Sequence, residues 1–139
     1  MTQQTAAATS VTGTEITAEF EVTGWDQSVY DEPGEGPAMA RATVRKTFRG
    51  DMDGVSVAEL LMAGDADGRG YVASERFTGT INGRRGTVVY QHGGLDDGHA
   101  PYAFGHIVPG SGTAELVGLV GEITFAHDES GARVKLVLR

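Results

Sequence analysis

Glu75, Tyr90 and His92 are the residues of this 139-residue chain whose types could move a proton, and local turn chemistry brings them together. A carboxylate, a phenol and an imidazole in one cluster can take a proton from a ligand, hold it and return it elsewhere. Asn82-Gly83 favours a primed two-residue hairpin turn, because both positions tolerate positive φ. With that turn Ile81 pairs with Arg84, Glu75 lies opposite Tyr90, and Ala73 lies opposite His92. Cross-strand partners share a face, so Tyr71, Ala73, Glu75 and Phe77 join Val88, Tyr90 and His92 on a mainly apolar side. Ser74, Arg76, Thr78, Thr87, Val89 and Gln91 make the reverse, mainly polar side. Burial on the apolar side is expected to raise the Glu75 carboxyl toward neutrality, with the tyrosine or histidine orienting it or supplying the complementary acid. The alternative is a structural carboxylate that accepts hydrogen bonds from Tyr90 and from a backbone or arginine group, since buried glutamates are rare unless paired.

The elements around this hairpin are read the same way. A two-residue turn at Asp67-Gly68 pairs Ala66 with Arg69, sets Leu60 opposite Glu75 and Ala58 opposite Phe77, and adds Met62, Leu60 and Ala58 to the apolar face. On the outer face it places Glu59 opposite Arg76 as an opposite-charge pair. A two-residue turn at Asp53-Gly54 would instead send Thr43, Arg45 and Thr47 inward and Val44 and Phe48 outward, so a longer loop or a bulge is expected there.

Other motifs carry less chemistry. Histidines stand at 92, 99, 106 and 127, but His99 lies in a Gly-Asp turn and no compact His-x-His pair exists, so no metal or other cofactor is expected. Asp65-Ala-Asp67-Gly-Arg69 fails as a calcium loop, with Arg69 in the fifth position and Glu75 one residue short of the closing ligand. Gly110-Ser111-Gly112-Thr113 has neither nucleophile-elbow nor phosphate-loop spacing and reads as an inter-strand turn after Pro109. His106 shares strand parity with Phe104 and is expected to line a cavity with it. Trp25 and Tyr30, beside a Pro-Gly loop over 31–37, suit a cavity mouth or lid, with core packing of Trp25 the equal alternative.

The frame for these residues is all-β. Glycines, 21 of them, separate short runs rich in Val, Thr, Ile, Phe and Tyr along the whole chain. Strands are expected over 15–23, 41–49, 55–63, 70–80, 86–92, 102–108, 114–119, 121–127 and 133–138. Eight or nine meandering antiparallel strands bury their apolar sides by closing into an up-and-down barrel, with a sandwich as the alternative. One domain over 15–139 follows a tail over 1–14 that reads as disordered and has neither the basic start nor the apolar run of a signal peptide. The net charge of −8 disfavours nucleic acid and anionic membrane as partners, and no apolar run approaches the roughly 20 residues of a spanning helix. The absence of cysteine excludes disulfides and thiolate catalysis and permits a cytoplasmic location. Apolar residues on both sides of the 114–125 segment predict a covered second face, hence a homodimer or higher oligomer.

Several segments together resemble a family of small bacterial domains of uncharacterised function: Phe20-Glu-Val-Thr-Gly-Trp25-Asp26, Lys46-Thr-Phe48-Arg-Gly50-Asp51, Glu75-Arg-Phe-Thr-Gly79, Gln91-His92 and Val108-Pro-Gly-Ser-Gly-Thr113, ending in Leu116-Val-Gly118-Leu-Val-Gly121. The resemblance spans about residues 15 to 138 and implies an eight-stranded antiparallel barrel similar to that of allene oxide cyclase, with a hydrophobic cavity. That barrel also looks like those of dirigent proteins and bacterial Diels–Alder cyclases of polyketide pathways. Their catalytic residues have no counterpart motif here, so only the fold carries over. The favoured expectation is a cofactor-independent cyclase or isomerase acting on a small, apolar, natural-product-like (polyketide-type) molecule. Shape would restrict the substrate, Glu75 would accept the proton or polarise, and Tyr90 and His92 would assist. Trp25, Tyr30, Leu60, Met62, Tyr71, Phe77, Phe104 and His106 would shape the pocket. A non-catalytic carrier or sensor is the alternative, and a structural oligomer with a filled lumen is a third reading.

Overall fold

The computed structural model describes residues 13–129 and 131–139; the expected tail therefore lies outside the described residues except for Gly13 and Thr14. Eight antiparallel strands run in chain order around a closed barrel: β1 (Glu15–Asp31), β2 (Met39–Gly50), β3 (Met52–Gly64), β4 (Arg69–Ile81), β5 (Arg84–Asp96), β6 (Tyr102–Ile107), β7 (Gly121–Asp128) and β8 (Gly131–Leu138), which returns to pair with β1. The strand expected over 114–119 is instead a single 3-10 turn, Ala114–Leu116. Leu116 and Leu119 are buried at the end of the barrel while Val117 is exposed. The two-sided apolarity of this segment is thus largely absorbed within the chain, which removes the reason it offered for a subunit interface.

The β4–β5 register is as the turn chemistry requires. Asn82 and Gly83 both have positive φ, and Ile81 pairs with Arg84, Glu75 with Tyr90 and Ala73 with His92. The β3–β4 connection differs, because it is a four-residue loop over 65–68. Asp65 Oδ1 accepts hydrogen bonds from the backbone N–H groups of Asp67 and Gly68, and the Asp65 N–H closes onto the Gly68 carbonyl. The register slips by two residues, so Ala58 rather than Leu60 faces Glu75, and Leu60 faces Ala73. A slip of two preserves parity, so the inward faces stand. The expected Glu59–Arg76 pair does not form: Glu59 lies opposite Ser74 and contacts Thr43 and Arg41. Asp53-Gly54 is no turn at all; the chain reverses at Asp51, which sends Val44, Lys46 and Phe48 inward.

Side-chain size divides the interior. Toward the turns at Asp51 and Asn82 the lumen is packed with Ile16, Phe20, Phe48, Met52, Phe77, Ile81, Val88, Ile107, Leu116, Ile123 and Leu136. There Gly54, Gly79 and Gly86 stand opposite one another across β3, β4 and β5, and a Cβ at Gly54 or Gly79 would meet the partner strand's backbone. Glycine at an inward row lets the sheet bend into a closed corner. Toward the other end the inward positions are small, with Ala40, Ala42, Ala58, Ala73 and Gly94 in place of aromatic rings. That end stays open as a cavity of about 660 Å³.

Candidate functional site

The layer between the packed and open halves is polar. Among the described residues the buried polar or charged side chains are Lys46, Ser56, Glu75 and His92, from β2, β3, β4 and β5 in turn. Lys46 and Ser56 are direct cross-strand partners, as are Ala58 and Glu75. All converge on the Glu75 carboxylate. Oε1 accepts from Lys46 Nζ at 3.0 Å and from His92 Nε2 at 2.8 Å. Oε2 accepts from Ser56 Oγ at 2.6 Å and from the Tyr90 hydroxyl at 3.0 Å. Lys46 is further held over the rings of Phe20 and Phe125, 5.0 and 4.4 Å from their centroids.

This arrangement overturns the expected protonation of Glu75. Burial by itself raises the carboxyl, but the bonds from His92 and Ser56 and the charge of Lys46 outweigh it and hold the group at about 2. Glu75 is therefore an ionised structural anchor at neutral pH, fully engaged by four donors, and a poor proton acceptor. Tyr90, completely buried against it, has its phenol pushed well up, first by desolvation and then by the Glu75 charge.

The proton assignments of His92 follow. An ionised carboxylate accepts only, so Nε2 carries the proton that faces Glu75, and Nδ1 is the ring nitrogen turned away from it. Its partner is the Tyr71 hydroxyl at 2.9 Å. Tyr71 stands opposite Gly94, where a side chain would crowd the tyrosine ring. Burial, then the nearby Glu75, raises its phenol as well. Tyr71 also lines the open cavity, together with Ala40, Leu60, Met62, Ala63, Leu95 and Pro101. Gln27, Asp65, Arg69, Asp96 and His127 contribute polar groups to the lining. A continuous path runs from cavity to Tyr71, His92 and Glu75, and a volume of this size suits a small organic ligand.

The expected site residues therefore separate into groups. Glu75, Tyr90 and His92 do meet, in the layer beneath the cavity, and Tyr71, Leu60 and Met62 do line it. Phe77 is fully buried against Phe48 in the packed half and is not among the residues lining this cavity. Phe104 and His106 fall on the outer face, because Gly105 and Ile107 are the inward partners of His92 and Tyr90; Phe104 covers the outside of Gly93. Trp25 and Tyr30 are each more than half exposed and are not among the cavity residues. A bulge between Val22 and Gly24 puts Trp25, Gln27 and Val29 opposite Val44, Ala42 and Ala40 and turns Tyr30 to the other face; Gln27 and Val29 line the cavity, and the Trp25 indole donates to Gln27 at 2.9 Å. Lys46 and Ser56 escaped the sequence reading, although Lys46 shares the parity of Val44 and Phe48, and a lysine on an apolar face calls for a buried acid. Among the described residues no cluster of three or more His, Cys, Asp or Glu could hold a metal, and no helix is long and apolar enough to cross a membrane.

No curated protein matches the chain in sequence. A crystal structure of a protein of unknown function from the DUF3224 family of Shewanella oneidensis MR-1 is similar, with 29% identity and a TM-score of 0.82 over 91% of this chain and 97% of that one. The barrel thus belongs to a shared architecture, and since the sequence model of DUF3224, a family described as protein of unknown function, matches residues 16–138, the chain belongs to the DUF3224 family.

Proposed function

We propose that the protein is a small-molecule-binding barrel that catalyses a cofactor-independent proton shift, an isomerisation or cyclisation, on an apolar, natural-product-like substrate held in the open half of the lumen. The observation that carries this reading is Tyr71, which lines the cavity while its hydroxyl is bonded at 2.9 Å to a histidine whose other nitrogen is fixed by a buried carboxylate. With its phenol raised, Tyr71 does not ionise alone. It accepts a substrate proton as its own proton passes to His92 Nδ1, and Glu75 steadies the imidazolium that forms. The pair then returns a proton to a second atom of the substrate, so no proton is gained or lost over the cycle. Glu75, Lys46, Ser56 and Tyr90 are positioning residues in this scheme.

Benzoylacetone, an apolar 1,3-diketone with an enol hydroxyl, tests the reading. In enol-to-ketone conversion the O–H proton leaves oxygen, the O–H electron pair becomes the carbonyl π bond, and the alkene pair takes the returned proton at carbon. The expected result is interconversion faster than in buffer without added cofactor, followed by ultraviolet absorbance. Tyr71→Phe and His92→Gln should each lower kcat about 100-fold or more. Binding without acceleration, for this diketone and for related enols, would favour a carrier or sensor.

A further inference from the structure

Resting on that reading of the cavity, we infer that its ligand is an uncharged, largely apolar molecule that presents a hydrogen-bond donor, a hydroxyl or an N–H, to the Tyr71 oxygen, and that acceptor-only analogues are rejected. The chain of constraint starts at Glu75. Four donors, one of them a lysine, keep it a carboxylate, and a carboxylate can only accept. His92 must then donate from Nε2; with that as the ring's one proton, Nδ1 presents a lone pair in a ring that is 4% exposed. Tyr71 satisfies that lone pair with its single O–H proton. What the phenol has left for the cavity is oxygen lone pairs.

A ligand carbonyl or ether approaching this oxygen would set acceptor against acceptor. Turning the Tyr71 O–H toward the ligand instead would strip His92 Nδ1 of its partner in a buried place. Either arrangement leaves one buried acceptor unpaired, a penalty of about tenfold or more in affinity. A hydroxyl or N–H meets the free lone pairs without disturbing the network. The rest of the lining argues against a charged ligand. Arg69 is matched by Asp96 at 3.6 Å, and with Asp65 also present the carboxylates outnumber the guanidinium, which opposes anions. The wall near Tyr71 is Leu60, Met62, Ala40 and Ala63, which supplies no carboxylate for a cation.

The test is equilibrium dialysis of the full chain at neutral pH against 2-naphthol, 2-methoxynaphthalene and 2-acetonaphthone, which share one apolar frame. An apolar cavity without the Tyr71 constraint would rank the methoxy compound above the naphthol, because the methyl adds buried apolar surface. The expected order is the reverse: 2-naphthol binds at least about tenfold tighter than either acceptor-only compound. In Tyr71→Phe the preference falls to less than about threefold, through loss of naphthol affinity alone. Equal binding, or tighter binding of the ether or ketone by the unaltered protein, overturns the donor assignment while leaving a binding barrel intact, and that order needs no variant to fold. A preference that survives Tyr71→Phe also overturns it. Binding of none of the three by folded protein overturns the cavity reading and this inference together.

Discussion

Glu75 shows how a single neighbour reverses the behaviour of a buried acid. On a wholly apolar face its pKa would climb, yet Lys46 at 3.0 Å and three further donors hold it at about 2. Because the folded pKa lies below the ordinary value of 4.5, the interaction stabilises the fold above pH 4.5 and is lost as the pH falls from there toward 2. The difference corresponds to about 3 kcal/mol of folding free energy. Urea unfolding of the native chain should therefore lose more stability over this interval than Glu75→Gln, whose curve should be flatter by about that amount. At neutral pH Glu75→Gln leaves Lys46 buried beside two rings with no counter-charge, and it should cost about 3–5 kcal/mol. Lys46→Met combined with Glu75→Gln should recover a good part of that loss, and a double-mutant cycle measures the coupling. If the double variant is as unstable as the sum of the singles, the pair is not coupled and Lys46 is not the counter-charge that holds Glu75 ionised.

At the scale of the element, the inward glycines of β3 and β4 are as constrained as the polar layer. Gly54 and Gly79 face each other with φ of +155°, and a methyl on either would run into the carbonyl of Thr78 or Asp53 on the opposite strand. Gly79→Ala should therefore cost more than the usual penalty for an exposed site, about 2–4 kcal/mol in urea unfolding. The β4–β5 hairpin illustrates how much a turn can specify. Asn82-Gly83 sets the register of thirteen paired positions, and with it the meeting of Glu75, Tyr90 and His92. The neighbouring hairpin ran two residues out of the expected register because Asp65 builds a wider loop with its side chain, yet the even shift left every inward residue inward. Beyond β5 the 97–101 connection pairs Leu95 with Tyr102, so Ile107 faces Tyr90 and Gly105 faces His92, and Phe104 and His106 lie on the outer face.

For the whole molecule, the proposed function depends on a lumen filled at one end and open at the other. A ligand that occupies the open half binds the folded chain alone, so at a hundred times its Kd it should stabilise the protein by about 2.7 kcal/mol. Met62→Trp, which places a large ring among the cavity-lining residues, should abolish both the binding of 2-naphthol and the thermal shift it produces. Retained shift in that variant would place the ligand elsewhere.

The all-β class, most of the strands, the antiparallel order and the face shared by Glu75, Tyr90 and His92 were legible in the sequence, because alternation and two-residue turns are local signals that act within a few residues. The tertiary structure alone decided that Lys46 and Ser56 complete the layer, because they arrive on β2 and β3 through a reversal at Asp51 that has no comparable turn signature. It also decided the charge state of Glu75, which depends on a lysine 29 positions away in the chain, and the role of Tyr71, which needs a cavity to open onto. Whether a lumen is solid or hollow is set by which side chains stack at the same height on strands distant in sequence. Ala40 and Gly94 say nothing singly, but where the closed barrel brings them together with Leu60, Met62 and Tyr71 they line an open space.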